Sequence, residues 1–81
     1  MSREKLFLAR AEVLALSAVP AAELLDRTLV DAAIRSTVRR HGTVRACVAA
    51  LAEQFGDRPE TTSVRIRWAR DTVASLYTTA A

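Results

Sequence analysis

The chain has 81 residues, 51% apolar, 26% charged and 5% aromatic, with a formal net charge of +3. That length bounds it to one small domain, and that balance excludes disordered, collagen-like and disulfide-scaffold classes. One His, one Cys, no cluster of Asp, Glu or His at ligand spacing and no phosphate-cradling glycine loop leave nothing from which to build a metal site or a nucleophile–base–orienter set, so no enzyme and no cofactor are expected.

The periodicity is helical throughout, and no alternating β-branched stretch is long enough for a strand. A first helix is expected from about Arg3 to Ser17, with Ser2 as N-cap and a stripe of Leu6, Ala9, Val13 and Leu16 flanked by Phe7 and Leu14. Pro20 at a first helical position, with Glu23 in the first turn, places the second from about Pro20 to Arg40. Its apolar side is Leu25, Leu29, Val30, Ala33, Ile34 and Val38. On the other side Arg27, Asp31, Arg35 and Arg39 stand four apart, an ion-pair ladder worth about 0.2–0.5 kcal/mol per pair. Gly42 should stop this helix in a left-handed conformation, with His41 as a cation at its C-terminus rather than a catalytic base.

Thr43 is a good N-cap for a third helix, on which Val44, Cys47, Val48, Leu51 and Phe55 recur at helical spacing until Gly56 closes it. Cys47 falls on that apolar face and is read as a small buried hydrophobe. Asp57 with Glu60 resembles a capping box and Pro59 fits only in a first turn, so a fourth helix should begin between Asp57 and Thr62 and run towards Tyr77. Thr62, Ile66, Ala69, Val73, Leu76 and Tyr77 form its inward stripe, while Ser63, Arg67, Arg70 and Asp71 look away. Residues 78–81 should fray. Trp68 lies with Val64 and Ser75 nearly opposite the stripe, so it either packs under the N-terminal helix or stands exposed.

Charge is unevenly placed. Residues 1–34 carry four basic and five acidic residues, residues 35–81 eight Arg and four acids, a gradient that suits a polyanion or an acidic protein surface. Sixteen Ala and 23 larger apolar residues make a modest core, and domains this small lean on a partner or a second copy. The longest apolar stretch, around Val13 to Ala22, is interrupted by Ser17 and Pro20 and too short to span a bilayer, so no membrane partner and a cytoplasmic home are expected.

Two helices joined by a short turn containing Gly, the second Arg-rich, form the pattern of a helix-turn-helix. Ala52 is small where the helices must approach, Leu51 and Phe55 anchor the first helix, and Gly56 takes the turn. The stretch from Leu51 through Gly56, Pro59, Thr61, Arg65, Ile66, Ala69 and Arg70 resembles the helix-turn-helix of region 4 of bacterial sigma factors and LuxR-type regulators, over residues 47–73. Asp57, Arg58 and Thr62 depart from that pattern at an apolar position, a Ser N-cap and an apolar anchor. A slightly longer or differently angled turn, with the helix starting nearer Thr61 or Thr62, accommodates all three. The resemblance implies that the last helix enters the major groove, with Thr61, Ser63, Val64 and Arg67 outward towards bases and phosphates, Arg67 as the bidentate contact to guanine, and Arg45, Arg58, Arg65 and Arg70 on phosphates.

The expected fold is thus an all-α, small four-helix domain whose last two helices form a helix-turn-helix: residues 1–42 a helical pair available for dimerisation, residues 43–78 the motif. The expected function is double-stranded DNA binding as a transcriptional regulator or accessory protein, as a homodimer or with a larger protein partner. The alternative is a protein-interaction module, adaptor- or antitoxin-like or bound to the transcription machinery, using the Val64, Trp68 and Arg face.

Overall fold

A computed structural model of the chain describes residues 2–77, which form four α-helices and, among them, no strand. They are α1 (Arg3–Leu16), α2 (Arg27–His41), α3 (Val44–Asp57) and α4 (Pro59–Tyr77). Residues 78–81, expected to fray, lie outside the described residues.

The helix starts are set by local caps. Ser2 Oγ accepts from the Lys5 N–H at 3.2 Å and Thr43 Oγ1 from the Ala46 N–H at 3.0 Å, each satisfying a donor that the first turn leaves without a helical partner. The start of α2 departs from expectation. Asp26, not Pro20, opens it: its backbone is extended and its Oδ1 accepts from the Leu29 N–H at 2.8 Å. Residues 18–25 are non-helical, held in part by a turn bond from the Glu23 N–H to the Pro20 carbonyl at 3.2 Å. At its far end α2 stops as expected at Gly42, whose φ is +100° and whose N–H returns to the Val38 carbonyl at 2.7 Å.

The core gathers around α1, which packs against α2, α3 and α4. A helix with three neighbours needs more than one stripe, and the buried set on α1 is Ala11, Val13, Leu14 and Ala15, whereas Leu6 is exposed. Ala11 and Ala15 share one buried cluster with Ala69 and Val73 of α4, which Leu14, Val30 and Leu51 complete. Methyl-sized side chains at these positions let the helix axes approach closely. The inward stripe of α4 holds: Thr62, Ala69 and Val73 are buried, and Ile66, Leu76 and Tyr77 half-buried. On α3 only Cys47 and Leu51 are buried; Phe55, expected as an anchor, is 46% exposed.

The junction of α3 and α4 is tighter than the sequence suggested. Gly56 and Asp57 are both helical, so Gly56 is no turn residue and Asp57 no N-cap, and Arg58 alone links the two helices. The Gln54 carbonyl accepts twice, from the Arg58 N–H at 2.8 Å and from Thr62 Oγ1 at 3.1 Å. This second bond ties the first turn of α4 to α3 across a link that is shorter, not longer, than the expected turn.

Candidate interaction surfaces on the last two helices

Of the residues expected to contact DNA, Arg45, Arg58, Thr61, Val64, Arg67 and Arg70 are exposed, and Ser63 and Arg65 are half-buried. Arg58 ends α3. Thr61 shares a crevice of about 320 Å³ with Gln54, Asp57, Arg58 and Thr62, and Ser63 faces Phe7, Phe55 and Arg70 across another. α4 carries all of these residues but Arg45, in the first turn of α3, and Arg58, and it divides them between different faces.

Arg65 points inward. Its Nε donates to the Ala15 carbonyl at 3.0 Å, and one terminal nitrogen donates to the Ser17 carbonyl at 2.9 Å and to Ser17 Oγ at 3.4 Å. α1 has no basic residue in its own last turn; Arg65 brings a cation there from α4, opposite the negative end of the α1 dipole. Burial lowers its pKa from the ordinary value. The same guanidinium lies 4.1 Å from the centroid of the Trp68 ring, which packs against the core while remaining half-buried. Trp68 therefore belongs partly to each of the alternatives raised by its spacing.

The outward face of α4 is apolar at its centre. Val64 is 64% exposed, and Leu24, from the segment before α2, is 95% exposed. With Leu25, Trp68 and Leu76 they line an open groove of about 550 Å³, bordered by Glu23, Arg67 and Asp71. A helix starting at Pro20 would include Leu24 and Glu23; the Asp26 cap, bonded to the Leu29 N–H, leaves both in the non-helical segment before α2.

Charge on this side is balanced. Residues 46–81 hold four Arg and four acids, and one of the four Arg is Arg65. Arg58, Arg67 and Arg70 thus share their surroundings in the chain with Glu53, Asp57, Glu60 and Asp71. The whole surplus of the second half lies in residues 35–45, with Arg35, Arg39, Arg40 and Arg45 and no acid.

Two further groups are held internally. Cys47 is a free, fully buried thiol whose Sγ lies 3.8 Å from the Thr37 carbonyl, and burial pushes its pKa up. The Tyr77 hydroxyl donates to Asp31 Oδ1, and its ring lies 4.2 Å and 4.7 Å from the Arg10 and Arg27 guanidiniums. Burial first, then the Asp31 hydrogen bond and charge, raise its pKa to about 12. Asp31 and Arg27 of the expected ladder therefore both meet Tyr77.

The chain matches no protein family, no curated protein and no solved structure. Among the described residues no group of His, Cys, Asp and Glu is placed to hold a metal ion, and no helix is long and apolar enough to cross a membrane.

Proposed function

We propose that the chain is a protein-interaction module that pairs with a second copy of itself through the outward face of α4. The observation that carries this reading is the groove where Leu24 and Val64 stand exposed beside Trp68. Apolar side chains grouped on a polar-rimmed surface favour a macromolecular contact, because covering them releases about 25 cal/mol per Å². An aromatic ring with Arg beside it is the residue pair that interface centres favour.

Charge favours a second copy as the occupant. Trp68 is the middle residue of α4, and Arg67 and Asp71, one turn apart, flank that midpoint. Two antiparallel α4 helices related by a two-fold axis near residue 69 set Arg67 of each against Asp71 of the other. The surface is self-complementary, as an isologous contact requires. Dimerisation through residues 1–42 has less support, since α1 is already packed against three helices.

Sedimentation over a range of protein concentrations tests this. Arg67→Asp and Asp71→Arg should each weaken the dimer, and the double swap should restore it. A wild-type chain that sediments as a monomer throughout, or a double swap as weak as either single one, overturns the reading.

Duplex DNA read by α4 as the recognition helix of a helix-turn-helix is the second reading, favoured by the exposure of Thr61, Arg67 and Arg70. In it Arg67 contacts guanine, Arg58 and Arg70 contact phosphates, and the chain acts as a regulator or accessory protein. The one-residue link, the inward Arg65 and the apolar groove count against it. Loss of site-selective duplex binding on Arg67→Ala would establish this reading over the first.

A further inference from the structure

The densest positive charge lies away from α4, at the corner where α2 ends and α3 begins. Arg39, Arg40 and His41 form the last turn of α2, Gly42 and Thr43 make the connection, and Arg45 stands in the first turn of α3. Arg35 stands one turn before Arg39, about 6 Å along the helix axis. All five basic side chains are exposed. No acidic residue occurs in the chain between Asp31 and Glu53.

Helix electrostatics accounts for only part of this cluster. Cations in the last turn of α2 favourably oppose its negative end, but Arg45 sits at the positive end of α3, where a cation is disfavoured. The first turn of α3 also contains no acid to offset it. Arg35 lies outside the last turn of α2 altogether. Neither residue serves the end of the helix that carries it, yet both extend the same patch.

The backbone beneath the patch is fixed. Gly42 bonds back to Val38, Thr43 caps α3, and the buried Cys47 thiol approaches the Thr37 carbonyl, so the end of α2 and the start of α3 hold each other. The cost of ordering on binding is therefore confined largely to the arginine side chains.

We propose that this corner binds the phosphate backbone of duplex DNA. Four of the five basic groups are guanidiniums, whose planar fork engages phosphate oxygens in pairs. The N-terminus of α3 adds a dipole of the sign that favours an anion. Duplex DNA carries one charge per about 1.7 Å of axis, so several closely spaced arginines meet phosphates together. Such contacts position without reading bases, so the binding is sequence-independent. The inference does not depend on how α4 is used.

Fluorescence anisotropy of the full chain with a labelled duplex, over a series of salt concentrations, tests it. Affinity should fall steeply with salt, and each arginine removed in Arg39→Ala/Arg40→Ala/Arg45→Ala should lower the slope of log K against log salt by about 0.9. Circular dichroism checks the fold; if that variant unfolds, Arg35→Ala/Arg45→Ala, which spares the last turn of α2, should lower the slope by about 1.8. Arg3→Ala/Lys5→Ala, which removes two exposed cations from the start of α1, should leave the slope unchanged. The proposal is overturned by absence of duplex binding at low salt, by a slope that corner substitutions do not alter, by one that the α1 substitutions lower as much, or by tighter binding to anionic phospholipid vesicles than to the duplex.

Discussion

Arg65 donates from its terminal nitrogen to the Ser17 carbonyl at 2.9 Å, joining the second turn of α4 to the end of α1 across 48 residues of sequence. The bond is charge-assisted, and with the parallel bond to Ala15 it satisfies carbonyls that the end of α1 leaves without helical partners.

Removing that side chain should be among the costlier substitutions outside the apolar core. Hydrogen bonds to charged groups contribute about 1.5–3 kcal/mol, and a cation at a helix C-terminus about 0.3–1 kcal/mol. Arg65→Ala should therefore lower stability by about 2–3 kcal/mol in urea unfolding. Arg65→Lys should recover less than half of that loss, because a single ammonium cannot reach both carbonyls in the same fork.

Tyr77 should titrate late, and its titration should weaken the fold. Its folded pKa of about 12 lies above the ordinary value of 10.0, through burial and the Asp31 hydrogen bond. The protonated phenol is thus the form the fold prefers. Its contribution is fully present below pH 10 and is lost as the pH rises from 10 towards 12. Tyr77 is the only tyrosine, so ultraviolet absorbance of the phenolate reads it directly. The midpoint should fall towards 10 in Asp31→Asn, which removes the neighbouring charge.

Cys47 should be silent in the native protein. It is fully buried and desolvation raises its pKa, so the thiolate that attacks a disulfide reagent is scarce and inaccessible. Labelling by a chromogenic disulfide at neutral pH should follow unfolding, with urea bringing the rate up to that of a free thiol. Rapid labelling without denaturant would show that α3 opens locally near its start.

What the residues made legible was local. The caps at Ser2 and Thr43 and the stop at Gly42 each act within four residues, and the structure has all three. The inward face of α4 followed from its spacing because one neighbour, α1, dominates its packing. The face of α1 did not follow, since three neighbours share it and spacing alone favours a single stripe. Asp26 competes in the sequence with Pro20 and Glu23, which offer an equally good local start for α2. The site residues divided similarly: exposure of Arg67 and Arg70 was foreseeable from the α4 stripe, whereas the turn of Arg65 towards Ala15 and Ser17 depends on contacts 48 and 50 residues away.

The two glycines give opposite expectations, and together they test the junction of α3 and α4. Gly42 has φ +100°, and an added Cβ there would meet nothing within 4 Å, so Gly42→Ala pays only for backbone strain. It should cost about 1–2 kcal/mol. Gly56 lies inside α3 without positive φ, and an added Cβ would again meet nothing within 4 Å. Gly56→Ala should therefore stabilise the chain by about 0.5–1 kcal/mol, by restricting the unfolded state and favouring helix. If Gly56 instead made a left-handed turn of the kind the helix-turn-helix resemblance implies, the same substitution would destabilise. The sign of the shift in the urea midpoint decides between a continuous α3 ending at Asp57 and a turn that opens at Gly56.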